Sequence, residues 1–117
     1  MGNGLVTTTR IFNGEALTAS GSALSDEIDL RQFRPDGSAT VQVAVTGDGT
    51  FKIEWLGSND GKNFVTPDSV AEIATGLTKT PGNEIYAFTI SQVKFIKFKI
   101  TETGTSDPVT VTLDLTV

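Results

Sequence analysis

The sequence predicts an all-β protein, an antiparallel two-sheet β-sandwich with a jelly-roll-like layout, on three observations. Apolar and polar residues alternate with period two in several segments, Gly, Asn, Asp and Pro clusters punctuate them, and no segment sustains the 3.6-residue repeat of an amphipathic helix. Alternating strands bury one face only, and two packed sheets satisfy that requirement. A chain of 117 residues suits one domain that buries roughly two thirds of its unfolded surface. Residues 1–9 are expected as a flexible N-terminal arm or an edge strand, and residues 10–117 as the sandwich.

In chain order, Thr7 to Phe12 reads as a strand, with Glu15 to Ala19 following it after Asn13-Gly14. Ala23 to Phe33 carries Leu24, Ile28, Leu30 and Phe33, whose spacing fits either a short strand or one irregular helical turn. Arg34-Pro35-Asp36-Gly37 is a strong turn. Next, Val41, Val43 and Val45 share one face, as do Phe51, Ile53 and Trp55 beyond Gly47-Asp48-Gly49. A tight hairpin is the expectation, because glycine tolerates the positive φ that such a turn demands. Gly61 to Asp68 reads as a loop with Phe64 tucked inward, and Val70 to Ala74 as a short strand. Thr80-Pro81-Gly82 turns the chain into Ile85 to Ile90, with Tyr86, Phe88 and Ile90 on one side. In Val93 to Thr101, Ile96, Phe98 and Ile100 oppose Lys97 and Lys99. The last strand sets Val109, Val111, Leu113, Leu115 and Val117 against Thr110, Thr112, Asp114 and Thr116.

Composition removes whole classes of chemistry. There is no histidine and no cysteine, so imidazole proton shuttles, catalytic triads, disulfides and thiolate metal sites are excluded. Fourteen Asp and Glu against nine Lys and Arg give a net charge of −5, which opposes nucleic-acid binding. Lys94, Lys97 and Lys99 form the one basic concentration and read as a solvated strand face. No apolar run approaches the ~20 residues of a membrane span, and the basic-then-apolar pattern of a secretory signal is missing.

Two carboxylates suffice for glycoside hydrolysis, but Glu54 and Asp114 sit on outward strand faces and nothing brings them together. No enzymatic activity is expected. Asp26, Glu27 and Asp29 are the candidate metal ligands, since calcium takes 6–8 oxygens from carboxylates and loop carbonyls; otherwise they form an exposed acidic turn, with no cofactor. Asn59-Asp60-Gly61 lacks an EF-hand ladder and reads as a turn. Trp55 belongs to the core, while Tyr86 lies near an edge where its hydroxyl can reach water. Asn59, Asp60, Asn63 and Tyr86 are the candidate contacts for a ligand or partner.

Two resemblances follow from these residues. Phe51 to Phe64, FKIEWLGSNDGKNF, and Val93 to Ile100, VKFIKFKI, resemble strands of discoidin-type and related galactose-binding-like domains. The chain lacks their terminal cysteine pair and has Lys97 where arginine is usual, so their lipid- and sugar-binding loops are not carried over. Ser25-Asp26-Glu27-Ile28-Asp29-Leu30, Gly57-Ser58-Asn59-Asp60-Gly61, and Thr101-Glu102-Thr103-Gly104 followed by Val109 to Val117 are similar to segments of small bacteriophage and prophage structural proteins. That resemblance implies a virion component, made in the host cytoplasm and serving as head decoration, fibre or tail-associated protein. Its implied partners are a capsid or tail protein and copies of itself, with a homotrimer as the simplest symmetric guess. The alternative is a carbohydrate-binding module for adhesion to a host or glycan.

Overall fold

A computed structural model describes residues 8–32, 38–47, 49–66, 72–78, 83–89, 93–104 and 107–117. Its strands are β1 (Thr8–Leu17), β2 (Ser22–Leu24), β3 (Ile28–Asp29), β4 (Ser38–Gly47), β5 (Thr50–Ser58), β6 (Glu72–Thr78), β7 (Asn83–Thr89), β8 (Phe95–Glu102) and β9 (Val109–Thr116), with a 3-10 turn at Leu30–Gln32. Sheet A has the order β1-β9-β4-β7, and sheet B the order β2-β8-β5-β6, with β3 also on β8. All of these pairings are antiparallel. Only the β2-to-β3 and β5-to-β6 steps stay within one sheet. With β2 and β3 taken as one interrupted strand, this is the two-sheet jelly roll that the alternation predicts.

The core is the dry layer between the sheets. Val41, Val43 and Val45 of β4 and Val109, Val111, Leu113 and Leu115 of β9 face it from sheet A. Phe51, Ile53 and Trp55 of β5 and Ile96, Phe98 and Ile100 of β8 face it from sheet B. Burial of each large side chain is worth roughly 1.5–3 kcal/mol, so these four central strands supply much of the driving force. Ser25 bridges the gap between β2 and β3. Its amide donates to the Phe98 carbonyl at 2.8 Å, and its Oγ accepts the Phe98 N–H at 2.9 Å, continuing the ladder through an irregular stretch.

The expected hairpin at Gly47-Asp48-Gly49 is corrected. β4 and β5 belong to different sheets: Gly47 pairs with Val109 and Thr50 with Thr78. Period-two alternation identifies the buried face of a strand but not its neighbour. The valine face of β4 and the aromatic face of β5 meet across the core instead of lying side by side. The β4–β5 crossover stacks on the β8–β9 crossover, and glycine is needed where they touch. A Cβ on Gly47 (φ 105°) would lie 2.6 Å from the Pro108 carbonyl oxygen, and one on Gly49 2.6 Å from that of Asp107.

Other local readings also change. Asn13-Gly14 does not turn the chain: β1 continues along β9 to Leu17, with register shifts at Arg10/Phe12 and Phe12/Glu15. Gly14, at φ 67°, absorbs the irregularity as part of a β-bulge. Ala23 to Phe33 holds both of its alternatives, two short strands and a helical turn. Phe64 does not point into the core. It packs beneath Lys97 Nζ, 4.5 Å from the ring centroid, and Lys97 belongs to the outward set of β8. Thr8 and Thr9, at the end of the stretch expected as an arm or an edge strand, pair with Thr116 and Leu115 at a sheet edge. Residues 1–7, Phe33, Arg34 to Gly37, Asp48, Asp68, Val70, Thr80-Pro81-Gly82 and Ile90 lie outside the described residues.

Candidate functional site

Where β5 ends, the chain folds back on itself. Gly57 and Val65 exchange backbone hydrogen bonds at 2.9 and 3.0 Å, closing a loop over Ser58 to Phe64. Asp60 holds the loop from within. Its Oδ1 accepts the Ser58 hydroxyl (2.9 Å) and the N–H groups of Lys62 (2.8 Å) and Asn63 (2.9 Å), and its Oδ2 accepts Asn63 Nδ2 (2.9 Å). The Ser58 hydroxyl also accepts the Gly61 N–H at 3.0 Å. Gly61, at φ 75°, lets the backbone pass close to the Phe95 ring edge. The Asn63 N–H bond, followed by the Lys62 N–H and the other donors, drives the Asp60 carboxyl far below the usual carboxylate range.

Asn59 Oδ1 accepts the Lys94 N–H at 3.2 Å, tying the loop to the segment entering β8. Between loop and segment lies an open pocket of about 300 Å³, lined by Gly57, Ser58, Asn59, Asp60, Asn63, Val65 and Val93. Gly57 keeps the packing there close: a Cβ would come within 3.1 Å of the Trp55 and Val93 side chains, which would have to give by a few tenths of an ångström. The two valines give apolar walls. Asn59 Nδ2 and Asn63 Oδ1 have no protein partner among the described residues, so the rim offers one donor group and one acceptor. That suits hydroxyl or amide groups of a ligand. It does not suit proton abstraction, because a carboxylate so strongly stabilised by donors is a poor base.

Three of the four sequence-derived candidates, Asn59, Asp60 and Asn63, therefore meet at one pocket. Tyr86 does not join them. It lies on β7 in the other sheet, packed against the core, and its hydroxyl donates to Glu84 at 2.6 Å. Burial, with help from Glu84, pushes its pKa up to about 12. Asp26, Glu27 and Asp29 do not form a ligand set, and no group of three such side chains that could hold a metal occurs among the described residues. Asp29 is gripped by Arg31, at 3.0 Å from Nε and 2.9 Å from Nη2. Glu54 and Asp114 lie on the outer faces of opposite sheets, and sheets pack ~10 Å apart, so the two cannot share a substrate. Asp114 is held by both arms of the Arg10 guanidinium (2.8 and 3.1 Å).

One carboxylate was missed. Glu102 ends β8 at an inward position and is only 1% exposed. Its Oε1 accepts the Ser20 N–H (3.0 Å), and its Oε2 those of Thr50 (2.9 Å) and Gly104 (3.0 Å). The bond from Ser20 leads in holding its pKa below the ordinary value, against the opposing effect of burial. Three loops thus converge on one anion. The signal was present, since Ile96, Phe98, Ile100 and Glu102 share one alternation phase.

No protein-family model matches this sequence, and no curated protein matches it. Solved structures do. The SPBc2 prophage-derived protein YomS superposes with a TM-score of 0.54 at 15% identity, covering 96% of this chain and 93% of that one. A low-affinity xylan-binding module, CBM86 from Roseburia intestinalis, gives 0.56 at 14% identity, over 97% and 96%. The VP2 subviral particle of infectious bursal disease virus gives 0.56 at 11% identity. There the match covers 97% of this chain but only 32% of the viral one. The likeness is one of fold. One of these neighbours is prophage-derived, one is a xylan-binding module and one forms a viral particle. Among the described residues no helix is long and apolar enough to cross a membrane.

Proposed function

We propose that this chain is a non-enzymatic structural protein of a bacteriophage virion, a head decoration, fibre or tail-associated component that works by protein–protein binding. The observation that carries this reading is the outer face of sheet A. Thr40, Thr46, Thr110, Thr112 and Thr116 project from it at regular strand spacing, and its Arg10 and Asp114 charges neutralise each other. Rich in short threonine side chains and locally neutral, it suits docking against a repeating lattice in a chain otherwise acidic. Likeness in fold to a prophage protein and to a viral particle protein supports the reading. The partners in this reading are a capsid or tail protein and further copies of the chain, the location is the virion, and no cofactor takes part. Mass spectrometry of purified particles from the producing phage tests it: the chain should be a stoichiometric component, and its absence would refute the assignment.

One observation favours carbohydrate binding as the second reading. The Asn59–Asn63 pocket offers an unpaired donor and acceptor beside apolar walls, and a xylan-binding module shares the fold over nearly its full length. Glycan-array screening with and without calcium separates the readings, because silence in both conditions removes this one.

A further inference from the structure

Sheets with open edges invite pairing with other chains, and folded proteins blunt those edges with bulges, brevity, charge or proline. Three of the four edges here are blunted. The β1 register is broken twice, β6 is irregular against β5, and β2 and β3 are three and two residues long. The fourth edge, β7, pairs with β4 through seven consecutive residues without a shift, Asn83↔Ala44 to Thr89↔Ser38. Its sequence, NEIYAFT, contains neither lysine nor proline, its single charge, Glu84, accepts a hydrogen bond from the Tyr86 hydroxyl, and among the described residues nothing pairs with its other side. Ile85 projects outward from it, 66% exposed.

We propose that the free edge of β7 is a self-association edge, where a second copy of this chain pairs antiparallel about a two-fold axis through Ile85. The register follows from complementarity. An axis at Ile85 lays this exposed side chain on its own counterpart and sets Glu84 of each copy opposite Tyr86 of the other. The Tyr86 hydroxyl already donates to a Glu84 carboxylate within one chain, and across the axis the same donor and acceptor face each other twice. Moving the axis to Glu84 would oppose two carboxylates, which is unfavourable for directly facing residues. Moving it to Tyr86 would place Glu84 against Phe88 and separate the two Ile85 side chains. The Ile85 axis joins two copies of sheet A into one continuous sheet with an isologous interface. It accounts for a dimer, and a trimer would need a different surface. The proposal is independent of the virion assignment.

A seven-residue edge covers less than the ~1,200–2,000 Å² of a standard stable complex, so association is reversible. Sedimentation of the wild-type chain should move from monomer towards dimer between about 10 µM and 1 mM, as a weak interface requires. Ile85→Lys, which sets like charges on the axis, should weaken association at least ~10-fold. Leu24→Lys on the β2 edge makes the same charge change and should leave it intact. Because the chain has no cysteine, single-thiol variants report the register. Under mild oxidation Ile85→Cys should crosslink rapidly. Ala87→Cys should not, because its counterpart would be ~13 Å away along the strand, beyond the ~7 Å Cα reach of a disulfide. A wild-type monomer at 1 mM overturns the proposal, as do equal crosslinking of the two thiol variants or equal loss in both lysine variants.

Discussion

Leu113→Ala should destabilise the fold severely while Ile85→Ala leaves it almost unchanged, although both residues are aliphatic and both sit in strands of sheet A. Leu113 lies in β9 between Phe12 of β1 and Val43 of β4, and is fully buried. Buried Leu→Ala replacements cost about 2.7–5.0 kcal/mol, depending on how far the site collapses. Here β9 is hydrogen-bonded on both sides, which resists collapse and favours the upper half, about 4–5 kcal/mol. At about 2.1 cal/mol/K per residue, the unfolding entropy of the chain is roughly 0.25 kcal/mol/K. The expected fall in Tm is therefore about 16–20 °C. Ile85 is largely exposed, so its truncation should stay within about 0.5 kcal/mol, or 2 °C. Thermal melts followed by circular dichroism on dilute protein measure both. A shift below about 3 °C for Leu113→Ala, or equal shifts for the two variants, would refute the assignment of faces and the sandwich built on it.

Glu102→Gln should lower the Tm at neutral pH, since an amide cannot accept three N–H bonds as a carboxylate does. The folded pKa of Glu102 lies below its unfolded value, so its stabilisation is complete above the unfolded value and fades as pH falls through the folded one. The gap between wild type and variant should narrow in melts carried out at progressively lower pH. Gly47→Ala and Gly49→Ala each push a Cβ into the neighbouring crossover and should cost about 1–3 kcal/mol by overpacking, visible as a lower guanidinium midpoint. Asp60→Ala should accelerate amide exchange at Lys62 and Asn63, whose N–H groups it binds, while exchange at Ile53 and Ile100 stays slow; uniform acceleration would show that the loop is not a local unit.

Local alternation made the faces legible. Every inward residue of β9 from Val109 to Leu115 is buried, because a period-two pattern needs no knowledge of neighbours. Pairing was not legible. Gly47-Asp48-Gly49 has hairpin chemistry, yet β4 found its partner in β9, more than sixty residues away, through surfaces that only the folded core brings together. Gly14 illustrates the same limit, since the φ that suits a turn also suits a bulge, and only the β9 register decides between them. The turn at Asp60 was readable because the hydrogen bonds of the Asp60 carboxylate reach no further than three residues. Tyr86 does lie on an edge strand, but its distance from the Asp60 loop depends on sheet order, which alternation does not show. Glu102 was overlooked despite its inward phase, because a carboxylate invites a solvent assignment until the three loops that clothe it are known.

Among the described residues, β1 pairs only with β9, far along the chain: Thr8 pairs with Thr116, and Leu17 with Val109. Sheet A cannot be completed during synthesis until β9 has left the ribosome, and such distant pairings make folding slow. Until then β1 waits as an unsatisfied ribbon. Loss of β9 would leave β1 and β4 each without the strand between them, exposing two tacky seams at once, so the integrity of sheet A rests on the eight residues of β9.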